Sequence, residues 1–331
     1  MRVGLTSTIP VEIILAAGHT PVDLNNVFVV SPQAGRLVRD AEAAGYPRNA
    51  CSWVKGIYST ILQHDISTVV VVTQGDCSQM QAMMETLADH KVRLIPFAYP
   101  YDRDRTQLKA QMLRLIEALG ADWEAAVAVQ ERLRPLRAKV GRLDELTWRE
   151  GTITGWENHL YQVSCSDFTG EVERFEAEVD GLLHEASERT PLEYRARIGF
   201  VGVPPIYSDI YHYLEELGVH VAFNEVQRQF TMTPALECDL LTQYQQYTYP
   251  YDIFARLEDI TRETANRQLE GIIHYVQSFC FRQIYDHILR EALDCPVLTL
   301  EGDRPGGLTG RDKLRLEAFA ETLEARRWSR S

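Results

Sequence analysis

The feature that most constrains this chain is one run, Ser67-Thr68-Val69-Val70-Val71-Val72-Thr73. A continuous β-branched run suits a strand covered on both faces, the habit of parallel sheets. Its surroundings agree. Ahead of it, Val54, Ile57, Tyr58, Ile61 and Leu62 recur at helical spacing between Ala50 and Gln63. Behind it, Met80, Met83, Met84 and Leu87 mark another helix, and Val92 to Pro96 another strand. At the start, Val3 to Thr6 reads as a strand, Pro10 as the first turn of a helix through Ile13, Ile14 and Ala17, and Gly18 as its stop. Val22-Asp23-Leu24 then begins the next extended piece.

The alternation stops near Asp102. As far as Ala186 charges are dense, and Leu108, Met112, Leu115, Ile116 and Leu119 recur every three or four residues. That stretch predicts a helical middle section. The alternation resumes with the strand Ile198 to Val203, the turn Pro204-Pro205, a helix from Ile206 to Leu217 and the strand Val219 to Phe223. Gly271 to Tyr275 is a further strand, Phe281 to Leu293 a helix and Pro296 to Leu300 the last strand. The glycine-rich stretch Gly302 to Gly310 reads as a turn before a C-terminal helix. The expected fold is therefore α/β, with two parallel-sheet (Rossmann- or flavodoxin-like) domains at 1–101 and 196–331 joined by a helical section at 102–195. The 331 residues are enough for two cores of that kind.

Charge removes some functions. A formal net charge of -13 argues against a nucleic-acid or anionic-membrane surface, since both demand clustered Lys and Arg. No apolar run approaches the roughly 20 residues that cross a bilayer. Ile13 to Ala17 is too short for a secretory signal, and Glu12 directly precedes it. A cytoplasmic location is the expectation. Arg326, Arg327 and Arg330 read as a frayed tail.

Cysteines stand at 51, 77, 165, 238, 280 and 295, with no C-x-x-C spacing, so neither a zinc ribbon nor a thioredoxin motif is indicated. On the predicted map Cys77 follows Gln74-Gly75-Asp76 at the end of a buried strand. Cys280 follows Gln277-Ser278-Phe279 at the end of another, and Cys51 opens its helix after Pro47-Arg48-Asn49. All three fall near helix N-termini, where free N–H groups favour a thiolate and lower its pKa. Two fall where open α/β sheets bind ligands. Three convergent thiolates suit an iron–sulfur cluster with one iron left open. Cys165, Cys238 and Cys295 fit structural roles better.

Five stretches in order also resemble one known family. Ile9-Pro10-Val11-Glu12 with Ala16-Ala17-Gly18-His19-Thr20-Pro21 looks like the opening of 2-hydroxyacyl-CoA dehydratase subunits. Gly199 to Pro205, followed by Gly218 and Asn224-Glu225, resembles their second domain. Ser278-Phe279-Cys280, Leu300-Glu301-Gly302-Asp303 and Arg315-Leu316-Glu317-Ala318-Phe319 are similar to their closing segment. The resemblance implies a lyase that removes water from a 2-hydroxyacyl-CoA by one-electron, ketyl-radical chemistry under anaerobic conditions. It implies a 4Fe-4S cluster on Cys51, Cys77 and Cys280, with no flavin or nucleotide on this chain. It further implies an ATP-dependent iron–sulfur activator protein and pairing with a related subunit or with itself. Many relatives carry Asp directly after the second cysteine, whereas here Asp76 precedes Cys77.

Beside the cysteines, Glu12, Ser52, Asp76 and Gln277 are candidates for catalytic roles, each with capping or packing as the plainer role. His19, His274 and Trp53 read as loop or core residues. Three alternatives stay open: a reductase of acyl-CoA or small molecules with a single or double-cubane cluster, a non-catalytic electron-transfer or scaffold subunit, and a structural zinc site.

Overall fold

The computed structural model of the chain describes residues 1–64 and 66–328. Two four-stranded sheets, each wholly parallel, form its two halves. The first contains β1 (Arg2–Leu5), β2 (Thr20–Asp23), β3 (Thr68–Gln74) and β4 (Arg93–Ala98), in the order β2-β1-β3-β4. The second contains β5 (Ala196–Gly202), β6 (Val219–Asn224), β7 (Gly271–Gln277) and β8 (Val297–Gly302), in the order β6-β5-β7-β8. The halves share one plan.

β3 shows why the valine run dictates this arrangement. Val70 and Val72 enter one core with Val3, Leu5, Ile95 and Phe97. Val69 and Val71 point the other way, into a core with Val54, Ile57, Met80 and Met83. The period of two thus feeds two helical layers at once. Each valine buried in this way contributes about 1.5–3 kcal/mol.

Between the sheets lie the helices Arg105–Leu119, Trp123–Glu145, Gly155–Val163 and Val172–Glu188, and no strand among the described residues. Side chains of Asp104, Asp122 and Thr154 cap the first three, as their sequence positions favour. This section stitches the halves together. Arg137 bonds Glu12 just after β1 at 2.7 Å, and Arg267, before β7, bonds Asp144 at 2.6 Å. The halves also exchange packing elements. Val226, Phe230, Tyr244 and Tyr247 enter the first sheet's core, while Phe28, Leu37 and Val38 enter the second's.

Three local expectations change. The helix expected from Ile206 begins at Ile210, because the Ile206 N–H is taken by the Tyr275 hydroxyl and Tyr207 pairs with Gly306. The helix expected from Phe281 is a 3-10 helix (Phe281–Tyr285) followed by an α-helix (Asp286–Ala292). The expected tail is also ordered as far as the last helix, Gly310–Trp328, in which Arg326 donates to the Asp294 carbonyl; Arg330 lies outside the described residues.

Candidate functional site

The strand order places β1 and β3 side by side although their crossovers leave in opposite directions, and β5 and β7 likewise. Such a switch point opens a crevice beyond the carboxyl ends of the strands. Here the two crevices merge into one cavity of about 510 Å³. Thr6, Ser7 and Thr8 line it after β1, Asp76 and Cys77 after β3, Val203 to Pro205 after β5, Gln277 at the end of β7 and Cys280 after it. Its size falls within the range of ligand sites.

Cys51, Cys77 and Cys280 all line this cavity. Each is the residue immediately before a helix: Ser52–Gln63, Ser78–Thr86 and Phe281–Tyr285 respectively. Cys77 and Cys280 occupy matching places, each three residues beyond the glutamine that ends the third strand of its sheet, Gln74 or Gln277. Main-chain N–H groups face the sulfurs and favour their thiolates: Trp53 and Val54 at Cys51, Gln79 and Met80 at Cys77, and Arg282 at Cys280. These amides pull the thiol pKa values down, as helix N-termini should. Burial outweighs them. It pushes Cys51 up to about 11 and Cys77 up to about 12, and raises Cys280 as well. The expectation of lowered thiol pKa values is therefore corrected, because the cavity wall excludes more water than the helix starts can offset. The charges of Cys51 and Cys280 oppose each other, as do those of Cys51 and Cys77. Among the described residues no three His, Cys, Asp or Glu side chains are grouped to hold one metal ion.

Of the polar candidates, Asp76 and Gln277 line the cavity and Ser52 and Glu12 do not. The Asp76 carboxylate accepts from the Cys77 N–H at 2.8 Å. Burial pushes it up to about 6, with that N–H and the Arg282 guanidinium pulling the other way. Gln277 Nε2 donates to the Asp303 carbonyl at 2.6 Å, while its Oε1 is buried without a partner. The Ser52 hydroxyl is buried and unpartnered within its helix start. Glu12 is fully buried against Arg137, Gln243 and Tyr244. Burial alone would raise it, but the Arg137 charge and the hydrogen bonds hold it below the usual carboxylate range. It braces the fold. His19 is not on the cavity wall, and His274 is buried 3.1 Å from Asp286. Trp53 is on the wall and packs edge-on against Phe28. Cys165, Cys238 and Cys295 do not line the cavity, and Cys165 donates to the Tyr161 carbonyl within a helical core.

The structure adds residues that no sequence pattern marked. Asp23 and Asp167 meet on the cavity wall, where the Asp23 N–H donates to Asp167 Oδ2 at 2.7 Å. Burial, then mutual repulsion, pushes Asp167 up to about 7, and burial raises Asp23 too. Arg282 and Tyr249 also line the cavity, the guanidinium lying over the Tyr249 ring at 4.2 Å. A basic residue two positions beyond Cys280 was the one available signal for Arg282. Nothing in the sequence joins Asp23 to Asp167.

Comparison with known proteins gives one informative match. The family model described as 2-hydroxyglutaryl-CoA dehydratase, D-component, matches residues 6–323. No curated protein matches the chain. Among solved structures, the SBP FpvC from P. aeruginosa in complex with Ni2+ is 11% identical, with 98% of this chain and 97% of that chain covered at a TM-score of 0.26. The same protein from Pseudomonas aeruginosa in complex with Mn2+ is 12% identical, covering 98% and 96% at a TM-score of 0.22. At those scores neither bears on fold or function.

Proposed function

Because the chain belongs to the 2-hydroxyglutaryl-CoA dehydratase D-component family, we propose that it is the iron–sulfur subunit of a 2-hydroxyacyl-CoA dehydratase-type lyase. The observation that carries this reading is the convergence of Cys51, Cys77 and Cys280, from three helix starts, on one cavity between two switch points. Thiols held protonated by burial are poor free nucleophiles at neutral pH. They become thiolates when a positively charged centre compensates them. A cube-type cluster takes its thiolates at separate corners, which three sulfurs on the wall of one cavity can supply.

When bound, a 4Fe-4S cluster with one open corner supplies a single electron and a Lewis-acid site for a substrate oxygen. The protein's own residues do the rest. The amides of Trp53, Val54, Gln79, Met80 and Arg282 hold charge on the three sulfurs. The apolar walls, including Val54, Met80, Phe230 and Tyr249, keep water from the reacting thioester. Eliminating water breaks the C2–O bond and takes a proton from C3. Asp76, pushed up to about 6 by burial, is protonated in part near neutral pH, and that protonated form can deliver its proton to the departing hydroxide. The Asp23–Asp167 pair can accept the C3 proton. On this reading the chain pairs with a related subunit or a second copy of itself, and a separate ATP-dependent activator supplies the electron.

Cys165, Cys238 and Cys295 lie off the cavity, which favours a single cluster over a double-cubane one. The test is the iron and sulfide content of protein made without oxygen. We expect about four irons per chain in the wild type and severe loss in each of Cys51→Ala, Cys77→Ala and Cys280→Ala. An iron-free wild type would sink the proposal. An intact cluster with no turnover of any 2-hydroxyacyl-CoA, given activator, ATP and reductant, would reduce it to electron transfer or scaffolding.

A further inference from the structure

Five arginines are buried among the described residues: Arg137, Arg228, Arg256, Arg267 and Arg282. Four have carboxylate partners, in the pairs Arg137–Glu12, Arg228–Asp259, Arg256–Glu225 and Arg267–Asp144. Arg282 is the exception. Among the described residues no carboxylate comes within 4.0 Å of its guanidinium. Nη2 donates to the Tyr249 carbonyl at 3.0 Å, and Nη1 is buried with no acceptor. A guanidinium cannot discharge itself by losing a proton, so a buried one needs an acceptor from somewhere. Arg282 is on the cavity wall.

On the same wall, Gln277 has the opposite need. Its Nε2 is committed to the Asp303 carbonyl, which fixes the amide orientation, because only the nitrogen can donate to that oxygen. Its Oε1 is left buried, an acceptor with no donor. Buried polar groups in native proteins are almost always satisfied. The two vacancies are of opposite kind. The sulfides and thiolates of a metal cluster are acceptors only, so they can answer Arg282 but never Gln277. One small ligand that answers both must carry an acceptor and a hydrogen-bond donor, as a 2-hydroxy thioester does with its carbonyl oxygen and its hydroxyl.

We infer that Arg282 and Gln277 form the recognition site for the 2-hydroxy thioester itself, Arg282 donating to the thioester carbonyl oxygen and Gln277 Oε1 accepting from the 2-hydroxyl. This rests on the function proposed above and deepens it. Arg282 meets the oxygen on which negative charge builds when an electron enters the carbonyl, the place where a fixed cation helps most. Gln277 distinguishes substrate from product. Loss of the hydroxyl as water leaves its Oε1 unanswered, so the 2-enoyl thioester is held less tightly than the substrate and departs.

The test is calorimetric binding to the full chain made without oxygen, with iron content and thermal unfolding recorded for every sample. The probes are two matched pairs, lactoyl-CoA against propionyl-CoA and 2-hydroxyglutaryl-CoA against glutaryl-CoA. Wild type should bind the hydroxylated member of at least one pair roughly tenfold more tightly. Gln277→Met should erase that preference while leaving the affinity for the deoxy member unchanged. Arg282→Gln should weaken both members by roughly 10- to 100-fold, with Arg282→Lys in between. A preference that survives Gln277→Met, or undiminished binding by Arg282→Gln, overturns the inference. So does loss of iron from Arg282→Gln with its thioester binding intact, which assigns the arginine to the metal centre. Wild type that carries iron but binds none of the four thioesters overturns the proposed substrate class along with it. An iron-free wild type that still shows the hydroxyl preference, lost in Gln277→Met, overturns the cofactor alone.

Discussion

Asp167 is a buried carboxyl whose ionisation is displaced toward the physiological range. Burial, then the charge of Asp23, carries it up to about 7 in the folded chain, whereas a carboxylate in an unfolded chain titrates near about 4. Between those values the folded chain holds a proton that the unfolded chain has released. The stability tied to that proton is complete below about pH 4 and disappears as the pH rises through about 7. Asp76, pushed up to about 6, adds to the same slope. The wild type should therefore lose urea resistance between about pH 5 and about pH 8. Asp167→Asn, which keeps one acceptor for the N–H groups of Asp23 and Thr169, should lose distinctly less. Equal slopes for the two proteins would mean that Asp167 is already ionised at pH 5. These aspartates also mark the limit of sequence reading. Cys51, Cys77 and Cys280 are legible singly, because each follows a turn at a recognisable helix start. Asp23 and Asp167 are 144 positions apart and become a pair only through the packing of the middle section against β2.

The turn between β3 and the helix Ser78–Thr86 is the element that places Cys77. Gly75 crosses the left-handed region there at φ +100°, and a Cβ at that point would lie 2.8 Å from Pro250 Cβ and 2.9 Å from its carbonyl oxygen. Gly75→Ala thus adds a clash with the second half of the chain to a backbone penalty. We expect a loss of at least about 2 kcal/mol in urea unfolding, accompanied by impaired metal retention because Cys77 must move. Gly45→Ala is the matched control. Its φ is +110°, but a Cβ there meets nothing within 4 Å, so only the backbone cost of about 1 kcal/mol should appear. Equal losses for the two would show that the Pro250 contact is relaxed at no cost. Each of the eight strands among the described residues overlaps a stretch that reads as extended, most plainly β3, whose β-branched run has a local cause. The sequence places the second stretch late, since its strand is Thr20–Asp23 and Leu24 opens a helix. Helices Leu24–Val30 and Ala34–Ala43 are not visible in the sequence. Their apolar side chains Phe28, Leu37 and Val38 face the other half of the molecule, so their pattern answers to a partner some 160 residues away. Glu12, a candidate with a structural role as the plainer reading, lies off the cavity with its side chain turned toward Arg137.

At the scale of the whole molecule, the two sheets are locked by charge as well as by exchanged helices. Glu12 follows β1, Arg137 belongs to the middle section, and Gln243 and Tyr244 belong to the second half, yet all four meet in the buried interior. Removing one charge from such a group strands the other in a dry interior, at a cost of about 3–5 kcal/mol. Arg137→Met should lose about that much, because Glu12 must then either stay charged and unpaired or take up a proton. Adding Glu12→Gln should recover a good part of it, since the neutral amide can still bond Tyr244 and Gln243. The cluster spans all three sections, so the loss should appear as one earlier transition, coincident by fluorescence and circular dichroism, rather than as early melting of one half. Two separated transitions in Arg137→Met would show that the halves fold independently. The shared cavity would then depend on their docking, and the three thiols would be brought together only after each half had formed.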